Sequence, residues 1–184
     1  MEIGKLEKSG LWLKTKKGLW WVDPLLEKSV DPGVAGLLFS SGELDASDVA
    51  YGKLIIRGPG DYEVGGVEVK GFSGGKGTLE TIYRVRADSL GIVLANSFSD
   101  KWDDKRVEKL GSNDVLVLGV DKMTVKRCKE IVKKMGVNYL ILWGESEALK
   151  KFADEFDLES LRQDKVKIEA ESLPEGLEVV ILNG

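Results

Sequence analysis

The 184-residue sequence predicts an α/β fold, an αββα sandwich of two mixed β-sheets flanked by helices. Three observations carry that prediction. The first half reads almost entirely as short strands. The second half reads strand, helix, strand, helix, strand. No linker separates the halves, so residues 1–184 are expected to form a single domain.

The elements follow in order. Leu11, Leu13 and Thr15 alternate with Trp12 and Lys14, and Lys16-Lys17-Gly18 reads as a turn. Leu19 to Val22 is the return strand of this β-hairpin, ended by Asp23-Pro24. Beyond the breaker Asp31-Pro32-Gly33, the run Val34 to Phe39 lacks polar alternation, as in a strand buried on both faces. Ser40 to Asp48 is polar and loop-like, and Lys53 to Arg57 is a strand. Gly58-Pro59-Gly60-Asp61 is a turn signal, followed by two strands joined at Gly65-Gly66. Gly71 to Gly77 is expected to be a flexible loop, and Thr81 to Val85 and Gly91 to Ala95 to be strands.

In the second half, Val115 to Leu118 is a buried-type strand. Met123, Val125, Cys128, Ile131, Val132 and Met135 then recur at helical spacing, with Thr124 or Asp121 as the cap and Gly136 as the stop. Tyr139 to Leu142 is a strand, and Ala148, Leu149, Phe152, Ala153 and Phe156 form a second amphipathic helix. Lys165 to Ala170 and Leu177 to Leu182 close the chain as strands.

Composition excludes several function classes. Hydrophobic residues make up 42% and charged residues 32%, which suits a packed globular chain rather than a disordered one. The net charge of −4 is spread without a basic block, so no nucleic-acid partner is expected. The single cysteine rules out an intramolecular disulfide and fits a reducing cytoplasm. No apolar leader opens the sequence, and no apolar run approaches the roughly 20 residues of a membrane helix. A cytoplasmic protein with no membrane partner is therefore expected. The chain has no histidine. Histidine is the commonest transition-metal ligand and the usual general base near neutral pH. One cysteine and no histidine exclude an intramolecular structural zinc site, Ser-His-Asp catalysis and Cys-His catalysis.

The run Gly58-Pro59-Gly60-Asp61-Tyr62-Glu63-Val64-Gly65-Gly66-Val67-Glu68-Val69-Lys70-Gly71 resembles a family signature. It is similar to that of small metallo-β-lactamase-fold proteins akin to ascorbate-6-phosphate lactonase, zinc-dependent hydrolases. Thr81-Ile82-Tyr83, Asn113 to Leu118 and Leu173-Pro174-Glu175 resemble further landmarks in the same order. The family's signature His-x-His-x-Asp-His follows a buried strand. The resemblance places Ser41, Glu43 and Ala46 at its histidines, with Asp45 alone matching. Two later ligand positions fall near Leu94-Ala95-Asn96-Ser97 and at Trp143. Ser41, Glu43, Asp45, Ala46 and Trp143 are thus degenerate metal-loop positions, and no metal or other cofactor is expected.

Other candidates have bland readings beside the sharp ones. Glu43, Asp45 and Asp48 suit a hard cation, which prefers oxygen ligands, or simply a solvated loop. Gly58 to Gly60 and Gly74 to Gly77 lack both the P-loop lysine–hydroxyl pair and a following helix, so neither cradles phosphate. Cys128 sits among apolar helix residues and reads as inert packing. Trp12, Trp20, Trp21 and Trp102 are candidates for a binding surface, because adjacent Trp20 and Trp21 must face opposite ways on a strand. The expected function is a non-catalytic binding or scaffold protein, with homo-oligomers implied by the resemblance. The alternative is a hydrolase using a carboxylate site at Glu43, Asp45 and Asp48.

Overall fold

A computed structural model describes residues 1–7, 9–25, 30–42, 53–74, 80–96, 102–156 and 162–182. The first half contributes β1 (Glu2–Lys5), β2 (Leu11–Thr15), β3 (Gly18–Val22), β4 (Val34–Phe39) and β5 (Leu54–Arg57). It continues with β6 (Gly60–Val64), β7 (Val67–Ser73), β8 (Thr81–Ala87) and β9 (Leu90–Ala95). The second half contributes α1 (Asp104–Lys109), β10 (Val115–Gly119), α2 (Val125–Met135), β11 (Tyr139–Trp143), α3 (Ser146–Glu155), β12 (Arg162–Gln163), β13 (Lys165–Lys167) and β14 (Glu178–Leu182).

Among the described residues these strands form two mixed sheets. One has the order β13-β1-β2-β3-β4-β5, the other β12-β14-β11-β10-β9-β8-β7-β6. The first is antiparallel from β13 to β3 and parallel from β3 to β5. In the second, β12, β14, β11, β10 and β9 run parallel, and β8, β7 and β6 continue antiparallel. The αββα expectation holds, with the described helices all packed on the eight-stranded sheet.

Side-chain alternation explains the layering. In β10, Val115 and Val117 enter the core between the sheets, while Leu116 and Leu118 enter the core beneath the helices. β11 does the same with Tyr139 and Ile141 on one face and Leu140 and Leu142 on the other. A strand buried on both faces has to be apolar throughout, which is what these runs are. The amphipathic face of α2 supplies Cys128, Ile131 and Val132 to the outer core. Thr124 is its N-cap, its hydroxyl oxygen accepting from the Arg127 amide at 3.3 Å, and left-handed Gly136 ends it. No described helix is long and apolar enough to cross a membrane.

Several expectations need correction. Gly71 to Ser73 extend β7 rather than opening a loop, and residues 75–79 lie outside the described ones. Gly71 is required there because a Cβ would stand 2.5 Å from the Gly58 carbonyl oxygen. The strand expected over Lys165 to Ala170 stops at Lys167, and Ala170–Ser172 form a 3-10 turn. β1 and α1 escape sequence reading because each is short. Within α1 only Val107 is buried, so no apolar stripe marks it.

Candidate functional site

The C-terminal ends of β3, β4, β9 and β11 converge at one mouth of the sandwich. Asp23 follows β3 with φ at +48°, a left-handed conformation that aspartate tolerates better than most residues. Its amide donates to the Leu38 carbonyl at 2.8 Å, which holds the strand end against β4. Its Oδ1 accepts from the Ser40 amide at 2.6 Å. Its Oδ2 accepts from Ser40 Oγ at 2.5 Å and from Asn96 Nδ2 at 2.7 Å. Asn96 Oδ1 in turn accepts from Trp143 Nε1 at 3.2 Å. Burial pushes the Asp23 carboxyl above its ordinary value, and the hydrogen bonds from Ser40 and Asn96 oppose that shift.

Two further links close the same corner. The Thr81 amide donates to the Ser40 carbonyl at 2.7 Å. Fully buried Tyr83 donates its hydroxyl to the Phe39 carbonyl at 2.9 Å and accepts from the Gly58 amide at 2.9 Å. Burial raises the Tyr83 pKa, so the phenol stays a neutral donor. Arg57 lies over the Phe39 ring, 4.4 Å from its centroid.

The site residues expected from sequence fare unequally. Ser41 is exposed immediately after Ser40 at this mouth. Trp143 is half-buried there and joined to Asn96. Glu43, Asp45, Ala46 and Asp48 lie outside the described residues. Asp23 and Ser40 went unnoticed in the sequence, where Asp23-Pro24 reads only as a strand breaker. The signal available was an aspartate directly after an apolar strand, a position at which a strand end often meets a cleft.

Two tryptophans leave the binding-surface set. Trp20 is 1% exposed in the core between the sheets, packed across Gly36. Trp102 is 2% exposed in the outer core, with its carbonyl accepting from Arg127. Strand alternation puts Trp21 on the opposite face from Trp20, as the adjacent pair requires. There it is directly opposite Trp12, and both are half-buried. Cys128 is buried, and burial pushes its thiol up to about 12, which keeps it unreactive.

Among the described residues, no group of three or more His, Cys, Asp or Glu side chains could hold a metal ion. The donors at the mouth have other occupations. The Trp143 indole offers only an N–H, which cannot ligate a cation, and both polar atoms of the Asn96 amide are bonded.

The fold is the metallo-β-lactamase fold. The chain is similar to a candidate zinc-dependent hydrolase of the metallo-β-lactamase superfamily from Thermotoga maritima, at a TM-score of 0.76 and 16% identity, covering 98% of this chain and 97% of that one. A candidate metal-dependent hydrolase from Parabacteroides distasonis matches at a TM-score of 0.65 and 14% identity, over 97% of this chain and 91% of that one. The metallo-β-lactamase fold protein YhfI from Bacillus subtilis matches at a TM-score of 0.62 and 10% identity, over 98% of this chain and 95% of that one. No family model matches the chain, and no curated protein matches it by sequence. At these identities the likeness establishes the fold and leaves the chemistry to the residues.

Proposed function

We propose that this chain is a non-catalytic protein of metallo-β-lactamase fold that works as a binding or scaffold module. The observation that carries this reading is the bond from Trp143 Nε1 to Asn96 Oδ1. It lies at the two later strand ends where the family resemblance places metal ligands, and neither side chain suits zinc. The absence of histidine from the whole chain points the same way. Hydrolysis in this fold depends on metal-activated water, since metal binding lowers the pKa of water by several units. No side chain at the described mouth supplies a comparable effect.

Turnover of lactone, β-lactam and phosphodiester substrates tests the reading, with zinc, manganese or magnesium added. The expected rate equals the buffer blank under every metal. Metal-stimulated turnover that is abolished by Glu43→Gln or Asp45→Asn would overturn it in favour of a carboxylate-based hydrolase.

A further inference from the structure

The hydrogen bonds at the mouth do more than satisfy buried groups, because two of them, Asp23 with Asn96 and Asn96 with Trp143, join strand ends that no backbone ladder pairs. Asp23 and Ser40 extend β3 and β4 of the six-stranded sheet. Asn96 directly follows β9 and Trp143 ends β11 of the eight-stranded sheet, with β10 between these strands. We propose that Ser40, Asp23, Asn96 and Trp143 form a metal-independent clamp, with Asp23 as its hub, that fixes the ends of both sheets at this mouth. The clamp rests on the metal-free reading above, because a metal ion at this mouth would itself link the strand ends.

Three features make these bonds a built device. First, the polarity admits one arrangement. Asn96 Nδ2 faces the Asp23 carboxylate and Asn96 Oδ1 faces the Trp143 indole N–H, so an amide turned over would set acceptor against acceptor and donor against donor. Aspartate at 96 would set two carboxylates together, and leucine would remove the Trp143 bond and leave Asp23 only its two bonds from Ser40. Second, β10 ends in Gly119 beneath the Asn96 backbone. A Cβ at Gly119 would stand 2.5 Å from the Asn96 carbonyl oxygen, so the missing side chain lets β9 and β10 approach where Asn96 reaches for Trp143. Third, Asp23 holds a positive φ of 48°. A non-glycine residue keeps such a conformation where surrounding contacts over-determine it, and here those contacts are the clamp's bonds together with the Asp23 amide's bond to the Leu38 carbonyl.

The links span 17, 73 and 47 residues of sequence, so they report tertiary closure rather than local structure. Removing Trp143 Nε1 should therefore loosen Ser40 on the opposite sheet, although the two residues do not bond to each other. A tryptophan that merely fills space would not transmit that effect.

The test is a double-mutant cycle of Asn96→Leu and Trp143→Phe, read by amide hydrogen exchange. Phenylalanine keeps an aromatic ring and deletes the donor. The readout is exchange at the Ser40 amide relative to the core Ile141 amide, which corrects for global destabilisation. Each single variant is expected to raise that ratio about threefold or more, and the double variant no further than the larger single effect. Ile131→Val, in the α2 core, is expected to leave the ratio unchanged. The clamp is overturned if Trp143→Phe leaves the ratio unchanged, or if the two single effects multiply as for independent sites. Zinc found in the parent protein overturns the metal-free reading whatever the cycle shows. An additive cycle overturns the clamp whatever the zinc content.

Discussion

The helix-covered face of the eight-stranded sheet and the polar mouth of the sandwich secure the same strands by different means. Beneath α2 and α3, the strands contribute Leu116, Leu118, Leu140 and Leu142, each with no exposed surface. Contact there is apolar and close-packed and needs no particular donor or acceptor. At the mouth, Asn96 just beyond β9 and Trp143 at the end of β11 make contacts that depend on particular donors and acceptors. Apolar burial scales with area, whereas a buried hydrogen bond adds little net but costs much when one partner is lost. The first region therefore supplies most of the stability, and the second fixes the geometry.

The largest expected effect breaks the apolar side of this comparison. Leu140→Ala should destabilise the fold by about 2–5 kcal/mol, the range for a fully buried leucine whose cavity relaxes only in part. Urea unfolding monitored by circular dichroism measures it. A loss below about 1 kcal/mol would mean that the helix layer packs less tightly than the burial indicates.

A smaller effect is expected where the helix layer itself uses a polar contact. Thr124→Ala removes the oxygen that accepts from the Arg127 amide at the start of α2, which should cost about 1 kcal/mol in the same assay. An unchanged midpoint would show that backbone and solvent satisfy that helix end equally well.

How much of each region could be read from sequence follows from the same physics. The apolar region announces itself through period. Cys128, Ile131 and Val132 recur at helical spacing between Thr124 and Gly136, so α2 is visible without a structure. The strands beneath it are visible as unbroken apolar runs. The mouth has no period. Asp23 and Asn96 are 73 residues apart, and nothing local links them. Trp20 and Trp21 show the boundary between the two cases. Strand alternation dictates that one turns inward, but which one depends on sheet pairing, and Trp20 is the residue buried against Gly36. Trp102 misled because the polar stretch around it resembles a loop, whereas Asp103 caps α1 by accepting from the Arg106 amide at 2.9 Å and Trp102 packs inward.

The smallest expected effect concerns charge at the mouth. The Asp23 carboxyl is raised above its ordinary value of 3.8. Between that value and the native one, the folded chain binds more protons at this group than the unfolded chain does. Stability contributed by this group is thus present below the unfolded pKa and is lost as pH rises through the native pKa. Asparagine does not titrate. The stability of the parent minus that of Asp23→Asn should therefore fall with rising pH across this window, measured by urea unfolding at several pH values. A difference that stayed constant or rose would contradict the burial argument for Asp23.

The most direct test of the central claim is elemental analysis of the untagged protein, purified without chelator and dialysed against zinc at a small molar excess. Strand ends joined through Asp23, Asn96 and Trp143 in a histidine-free chain should retain far less than one zinc, iron or manganese ion per chain, and adding chelator should leave the thermal midpoint unchanged. About one tightly held transition-metal ion per chain, with a chelator-sensitive midpoint, would contradict the account.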